Sequence, residues 1–468
     1  MSKKTEGILK IGTFYLLANI FSKAIDFFLL PVFTDLYSTA EYGVVSTYIS
    51  YVNIISVFIS LSLGNSLRAA VIDFKEKLDE YMSSIIVLKF LIAVAMTGVV
   101  SVTSKILVPE QYRFLLGYCL LHAFFESVTS MLTLRYMLES KYVKKTMLTV
   151  MPNLIAIPIS ILLIQSMDDE RYMGRILGIC GMAVIVGLLC MIWILIKGRF
   201  VVKVEYWKYA FHFSLPLIFH SLSLVILNQI DRTMLTSMSG VSETGVYSVA
   251  LSFGTIAVAF GNAMENTWTP WFYNKMGKNE EDSVNHIAPL YTWTTALLAF
   301  GVMFLSPEVI KYFINEEYWE AIKIVPLIVA GYFFESIRAL SANTLYYTKK
   351  TSMIAISSFF AAVINLVLNY FFIASYGVAG AAFTTLIAHN VLFVLQSVSA
   401  KQSKPKLFGV RTFWGPILVV ILLIPLVELL RDFPVLRWGG AIVVTLIYVV
   451  IVAKGYGGDL FIKSKQRV

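Results

Sequence analysis

The stretch from Phe211 to Ser252 places His220, Asn228, Asp231 and Arg232 inside an otherwise apolar run of membrane-spanning length. At about 100° per residue these four fall within an arc of roughly 120° on a helix, with Gln229 pointing elsewhere. An ionisable group in a bilayer interior costs about 2.5–3.5 kcal/mol on insertion scales, so it faces a protein interior, water or a partner. The other cations near or within apolar runs are Lys23, Arg68, Lys89 and Arg338, and the other acids are Asp26, Glu126, Glu265 and Glu335. Lys23 with Asp26, and Glu335 with Arg338, are three residues apart and can neutralise each other on one helix face. Arg232 lies in the outer third of its run and can snorkel outward, and Arg68 can serve as a plain topogenic charge at a span end. Lys89 has only Ile85, Ile86, Ile92 and Ala93 at i±3 and i±4, so it points to a cavity or to another helix. Asn262 with Asn266, and Asn365 with Asn369, add amide faces at i,i+4 spacing. A buried carboxylate among these can exchange a proton or hold Na+. The five histidines are scattered, and no Ser/His/Asp or Cys/His spacing points to covalent catalysis.

The elements that must position these groups are membrane helices. Of the 468 residues, 58% are hydrophobic and only 14% charged, where a soluble domain carries about a quarter. Fourteen apolar segments are long enough to span: 8–32, 42–66, 82–104, 112–134, 144–166, 174–196, 211–236, 244–270, 286–306, 320–346, 352–375, 377–400, 412–430 and 436–453. Pro152, Pro158, Pro216 and Pro326 inside spans indicate kinked helices tolerated within a bundle. Cys119, Cys180 and Cys190 lie in apolar stretches and read as packing residues. The cluster Trp268, Trp271, Phe272 and Tyr273 reads as an interfacial anchor. With the N-terminus inside, alternate connections hold 26 Lys and Arg on the inner side against 8 on the outer, which places both termini in the cytoplasm. The net charge of +9 therefore reports cytoplasmic loops, and no nucleic-acid partner is expected.

The chain also repeats itself. Glu41-Tyr-Gly-Val-Val-Ser46 matches Glu243-Thr-Gly-Val-Tyr-Ser248, Phe125-Glu-Ser-Val128 matches Phe334-Glu-Ser-Ile337, and Tyr142-Val-Lys-Lys-Thr146 matches Tyr347-Thr-Lys-Lys-Thr351. An even number of spans separates the copies, so the repeats run parallel about an axis along the membrane normal. The expected architecture is an all-α polytopic membrane protein of about 14 transmembrane helices. Two six-helix lobes, 1–200 and 201–400, face a central cavity, and residues 401–468 add a helix pair and a cytoplasmic tail.

The run Leu227-Asn-Gln-Ile-Asp-Arg-Thr-Met-Leu235, the run Gly245-Val-Tyr-Ser-Val-Ala250, and the opening Phe28-Leu-Leu-Pro-Val-Phe-Thr34 with Glu41-Tyr-Gly43 carry a resemblance. Over essentially the whole chain it resembles the polysaccharide transporter family. These are the Wzx-type lipid-linked oligosaccharide flippases of the multidrug/oligosaccharidyl-lipid/polysaccharide exporter superfamily. The resemblance implies a substrate of undecaprenyl-pyrophosphate-linked oligosaccharide, flipped across the bacterial cytoplasmic membrane by alternating access for O-antigen, capsule or exopolysaccharide assembly. It implies no bond-breaking and no cofactor beyond a coupling H+ or Na+. Membrane lipids, a polysaccharide polymerase and glycosyltransferases are its expected partners, and a monomer its expected state. On this reading Lys89, Arg232, Arg68, Lys23 and Arg338 supply cations for the pyrophosphate, and Asp26, Asn228, Asp231, Glu126, Glu265, Glu335 and His220 are polar or coupling groups. Two other readings stand beside it. A multidrug cation antiporter of the same superfamily would favour an acidic, cation-poor cavity. A membrane enzyme would need a larger loop than the dozen or so residues of the longest outer connection, Pro307 to Trp319.

Overall fold

The computed structural model describes residue 25 and residues 27–107, 110–139 and 141–465. The described chain is helical: α1 (Leu30–Leu36), α2 (Thr39–Ser60), α3 (Leu67–Asp73), α4 (Leu78–Leu107), α5 (Leu115–Leu138), α6 (Tyr142–Gln165), α7 (Tyr172–Lys197), α8 (Val204–Met238), α9 (Val241–Gly277), α10 (Glu281–Phe313), α11 (Ala321–Tyr347), α12 (Thr351–Ser403), α13 (Val410–Leu429) and α14 (Pro434–Lys465). Ten described helices are long and apolar enough to cross a membrane. The first expected span, 8–32, lies mostly outside the described residues. The chain divides into two compact units, 1–248 with 358–384, and 249–357 with 385–468.

In the first unit α2 opens with a capping box, in which the Ser38 hydroxyl accepts from the Glu41 N–H and the Glu41 carboxylate accepts from the Ser38 N–H. Tyr48, Val52, Ile55 and Ile59 then recur on one helix face, and all four are buried. That face packs on α5 and α8, while α6 and α5 pack on α7. Lipid tails are as apolar as these side chains, so the gain is close dispersion contact rather than escape from water. The second expected span is not continuous. Leu61 and Ser62 take left-handed backbone angles (φ 40° and 54°), and a short 3-10 turn at Leu63–Ser66 leads into α3.

The expected break between segments 352–375 and 377–400 is real. Gly377 has φ 54° and ψ −130°, a region open essentially to glycine alone. There α12 turns back on itself, because Thr384 donates to the Asn369 side chain and the Phe372 and Phe383 rings lie 5.4 Å apart. Residues 15 apart on a straight helix would be about 22 Å apart. Gly377→Ala therefore costs about 1–3 kcal/mol of backbone strain and lowers the unfolding temperature in detergent. Unchanged melting would show that the reversal accepts a Cβ.

In the second unit α10 packs on α11, α13 and α14. The anchor reading fails for Trp268 and Phe272. Both are buried, stacked 5.9 Å apart, with Tyr291, Leu340 and Phe408 around them. Helix neighbours and the 407–408 turn close over those rings, so they face protein; Tyr273 stays partly exposed.

Candidate functional site

In the first unit α5 turns one polar stripe, His122, Glu126, Thr129, Ser130 and Thr133, toward α6 and α7. Thr149, Pro152 and Asn153 of α6 and Arg175 of α7 complete a cavity of about 400 Å³, within the range of small-molecule sites. Its polar members are held from behind. The Tyr48 hydroxyl meets His122 Nδ1 at 3.0 Å. Arg175 donates to the Ser160 hydroxyl at 3.3 Å, and its guanidinium lies 4.4 Å from the centre of the Phe33 ring. Glu126 is reached from the cavity yet surrounded by protein atoms, and among the described residues no cation neutralises it. Its repeat mate behaves differently. Glu335 is neutralised within its own helix by Arg338, whereas the residue three beyond Glu126 is Thr129.

The second polar centre of this unit surrounds Asp231. Tyr247 donates to its Oδ2 at 3.0 Å, and the Asn369 amide donates to its Oδ1 at 2.5 Å. Asn369 also donates to the Asn365 side chain at 3.3 Å and accepts from Thr384. Asp231, Tyr247, Asn365, Asn369 and Thr384 are all buried, and among the described residues the Asn365 Nδ2 has no hydrogen-bond partner. The α12 reversal at Gly377 is what brings Thr384 beside Asn369. Carboxylate, amide and hydroxyl oxygens in one dry cluster suit a hard monovalent cation or a proton.

The polar arc expected on α8 divides. Asp231 turns to this cluster, whereas Arg232 reaches the Ser50 hydroxyl at 3.5 Å and the Gln229 side chain at 3.3 Å. Gln229 stays off that arc but is reached by Arg232, because a long Arg side chain lies back over the preceding turn. Among the described residues the buried Arg232 Nε has no hydrogen-bond partner. Asn228 is exposed and donates to the Leu224 carbonyl at 2.7 Å. Lys89 is buried, and its ammonium donates to the Ser127 carbonyl at 2.8 Å with no carboxylate partner among the described residues. Arg68 is exposed on α3. Lys23 and Asp26, and the side chain of His220, lie outside what the structure describes.

In the second unit Arg338 makes a two-pronged pair with Glu335, at 2.9 and 2.5 Å, and donates to Gln396 at 3.1 Å. His389 Nδ1 approaches Glu335 at 3.5 Å, and Glu265 lies within electrostatic reach of Arg338. A second, almost wholly apolar cavity of about 560 Å³ runs along α10, walled by Trp293, Phe300 and Phe304 with Leu423 of α13 and Val444 and Tyr448 of α14.

Near the span ends several charges pair. Arg135 joins Asp79 and Glu139, and Lys141 reaches Glu139 at 2.6 Å. Burial alone would raise the Glu139 carboxyl, but Lys141 and Arg135 outweigh it and hold it below its ordinary value. The hydrogen bond from Lys203 to Glu80 raises the Lys203 ammonium, and that from Lys404 to Glu281 raises Lys404.

His122, Tyr48, Asn153 and Tyr247 escaped the sequence reading, and Arg175 was read only as a loop charge. A signal existed for His122, which precedes Glu126 by one helical turn on a face continued by Thr129 and Thr133.

Long apolar helices around polar, partly charged interiors define a multi-pass α-helical membrane protein. The family model described as "Polysaccharide biosynthesis protein" matches residues 8–276, and a second, MatE, matches 216–371. The first covers more than half of the chain, which belongs to that polysaccharide biosynthesis protein family. Over 160 residues, 33% of the chain, it is 24% identical to the "Probable low-salt glycan biosynthesis flippase Agl15" of Haloferax volcanii. The match spans about a third of that relative's length, 34%. Among solved structures the fold is similar to "Lipid II flippase MurJ, inward closed conformation", with a TM-score of 0.68 and 17% identity over 94% of this chain and 99% of that one. It is also similar to an inward-facing multidrug resistance MATE family transporter, with a TM-score of 0.54 and 14% identity over 81% of this chain and 97% of that one. At these identities the likeness is one of fold.

Proposed function

We propose that the chain flips polyprenyl-pyrophosphate-linked oligosaccharide repeat units from the cytoplasmic to the outer leaflet of a bacterial cytoplasmic membrane, for assembly of a cell-surface polysaccharide such as O-antigen or capsule. The observation that carries this is the polar cavity of α5, α6 and α7. A cavity of about 400 Å³ lined by His122, Glu126, Asn153, Arg175 and four Ser/Thr hydroxyls offers donors and acceptors at membrane depth, as a sugar needs and a hydrocarbon or a lipophilic cation does not. Membership of a polysaccharide biosynthesis family supports the same substrate class. Arg232, whose buried Nε has no hydrogen-bond partner among the described residues, suits a pyrophosphate. The apolar cavity along α10 suits part of an isoprenoid tail.

The mechanism on this reading is alternating access between two repeat-related lobes, near residues 1–200 and 201–400, with the 197–210 connection and the proline-containing spans bearing the hinge. The Asp231 cluster is the seat of the coupling ion, H+ or Na+. Glycosyltransferases supply the substrate and a polymerase consumes it.

Depleting the protein in its own host tests the proposal. Lipid-linked oligosaccharide should accumulate and surface polysaccharide should fall, with drug tolerance unchanged. Raised drug sensitivity with normal surface polysaccharide would favour a multidrug antiporter and overturn the reading.

A further inference from the structure

The repeated motif does more than mark an internal duplication, because its two copies touch. Glu41-x-Gly43-x-x-Ser46 starts α2 and Glu243-x-Gly245-x-x-Ser248 starts α9, each position 202 residues from its mate. The Ser46 and Ser248 hydroxyls share a hydrogen bond of 2.5 Å. A Cβ on Gly43 would overlap the Val241 carbonyl and lie 3.0 Å from the Gly245 nitrogen; one on Gly245 would overlap the Thr39 carbonyl and lie 3.2 Å from the Gly43 nitrogen. Thr39 and Val241 are also 202 apart. The contact is therefore self-complementary, with the local two-fold character of an isologous interface. A next layer of hydroxyls seals it, with Thr47 to Thr236 at 2.6 Å and Thr236 to Thr244 at 2.8 Å.

Two features suit this contact to opening as well as closing. Small residues let helix backbones meet in a membrane without burying much surface, so closure rests on short-range packing and a few hydroxyl bonds. Both partners also present helix N-termini, whose partial positive charges repel at close range. Glu41 and Glu243 in the two first turns offset that repulsion.

We propose that the Gly43–Gly245 and Ser46–Ser248 contact is the closed seal at one end of the transport path, the end that the Lys/Arg count places outside. It holds the two copies of the motif together while the other end is open, and it separates to release substrate. The two glycines set how tightly it shuts. This rests on the alternating-access reading above.

The test uses the full-length protein in membranes and reads the seal without needing the substrate. In a Thr47→Cys reporter, a water-soluble maleimide should label slowly. Adding Gly43→Ala or Gly245→Ala should raise labelling about tenfold or more, whereas Gly98→Ala, where a Cβ meets nothing within 4 Å, should not. A Ser46→Cys/Ser248→Cys pair should cross-link on oxidation, arrest surface-polysaccharide delivery, and recover on reduction; that recovery shows the arrested protein is folded. Unchanged labelling in both alanine variants, or full delivery by fully cross-linked protein, would make the contact static packing and overturn the proposal. Changed labelling with no role in polysaccharide delivery would retain the seal and sink only the flippase reading.

Discussion

Asp231→Asn abolishes substrate delivery while leaving the helices assembled. Asn is nearly isosteric with Asp. Its carbonyl can accept from the Asn369 amide in place of Oδ1, and its amide can donate to the Tyr247 hydroxyl, which turns round to accept. These two hydrogen bonds between α8, α9 and α12 therefore survive while the negative charge is lost. If that charge holds the coupling cation, delivery falls by more than about tenfold, the equivalent of at least 1.4 kcal/mol. Melting in detergent should shift little by comparison. Asp231→Leu should instead hurt both, because Tyr247 and Asn369 lose the carboxylate to which both donate. Delivery is read as surface polysaccharide at matched expression. Normal delivery by the Asn variant would remove Asp231 from coupling and leave it a structural clamp.

Arg232 is the second large effect, with the opposite charge. Its Nη1 contacts to Ser50 and Gln229 are long, at 3.5 and 3.3 Å, and its buried Nε has no hydrogen-bond partner among the described residues. A cation so poorly satisfied at membrane depth is tolerated where an anion visits. Arg232→Lys retains a point charge but loses two-pronged contact with phosphate, so delivery should fall a few-fold. Arg232→Gln loses the charge and should fall by more than about tenfold, with the protein still inserted. Equal activity of wild type, Lys and Gln variants would make Arg232 a snorkelling or packing residue.

Helices were legible because span length and apolar runs follow directly from the bilayer's thickness, and the turn at Gly377 because glycine punctuates two such runs. The sequence also exposed the Glu-x-Gly repeat, but not that its copies meet face to face, since contact across 202 residues leaves no local periodicity. The unlike fates of Glu126 and Glu335 show where reading by repeat stops. The same Phe-Glu-Ser motif faces a cavity in one copy and an internal arginine in the other, and the deciding residue, Thr129 or Arg338, lies one turn beyond the Glu and just outside the motif. Lys89 was ambiguous for a related reason. Its partner is the Ser127 backbone carbonyl, and backbone acceptors carry no sequence signature. Trp268 and Phe272 were misread because aromatic composition does not tell a membrane interface from a helix junction.

The most direct test of the central claim is reconstitution of the purified chain into liposomes containing the host's polyprenyl-pyrophosphate oligosaccharide in both leaflets. A membrane-impermeant glycosidase then reads the fraction of glycan facing outward over time. The account predicts that wild-type liposomes expose the inner-leaflet pool to the enzyme, that Asp231→Asn liposomes behave like empty ones, and that an imposed H+ or Na+ gradient changes the wild-type rate. Protection of the inner-leaflet pool by active, folded wild-type protein under either gradient would contradict it.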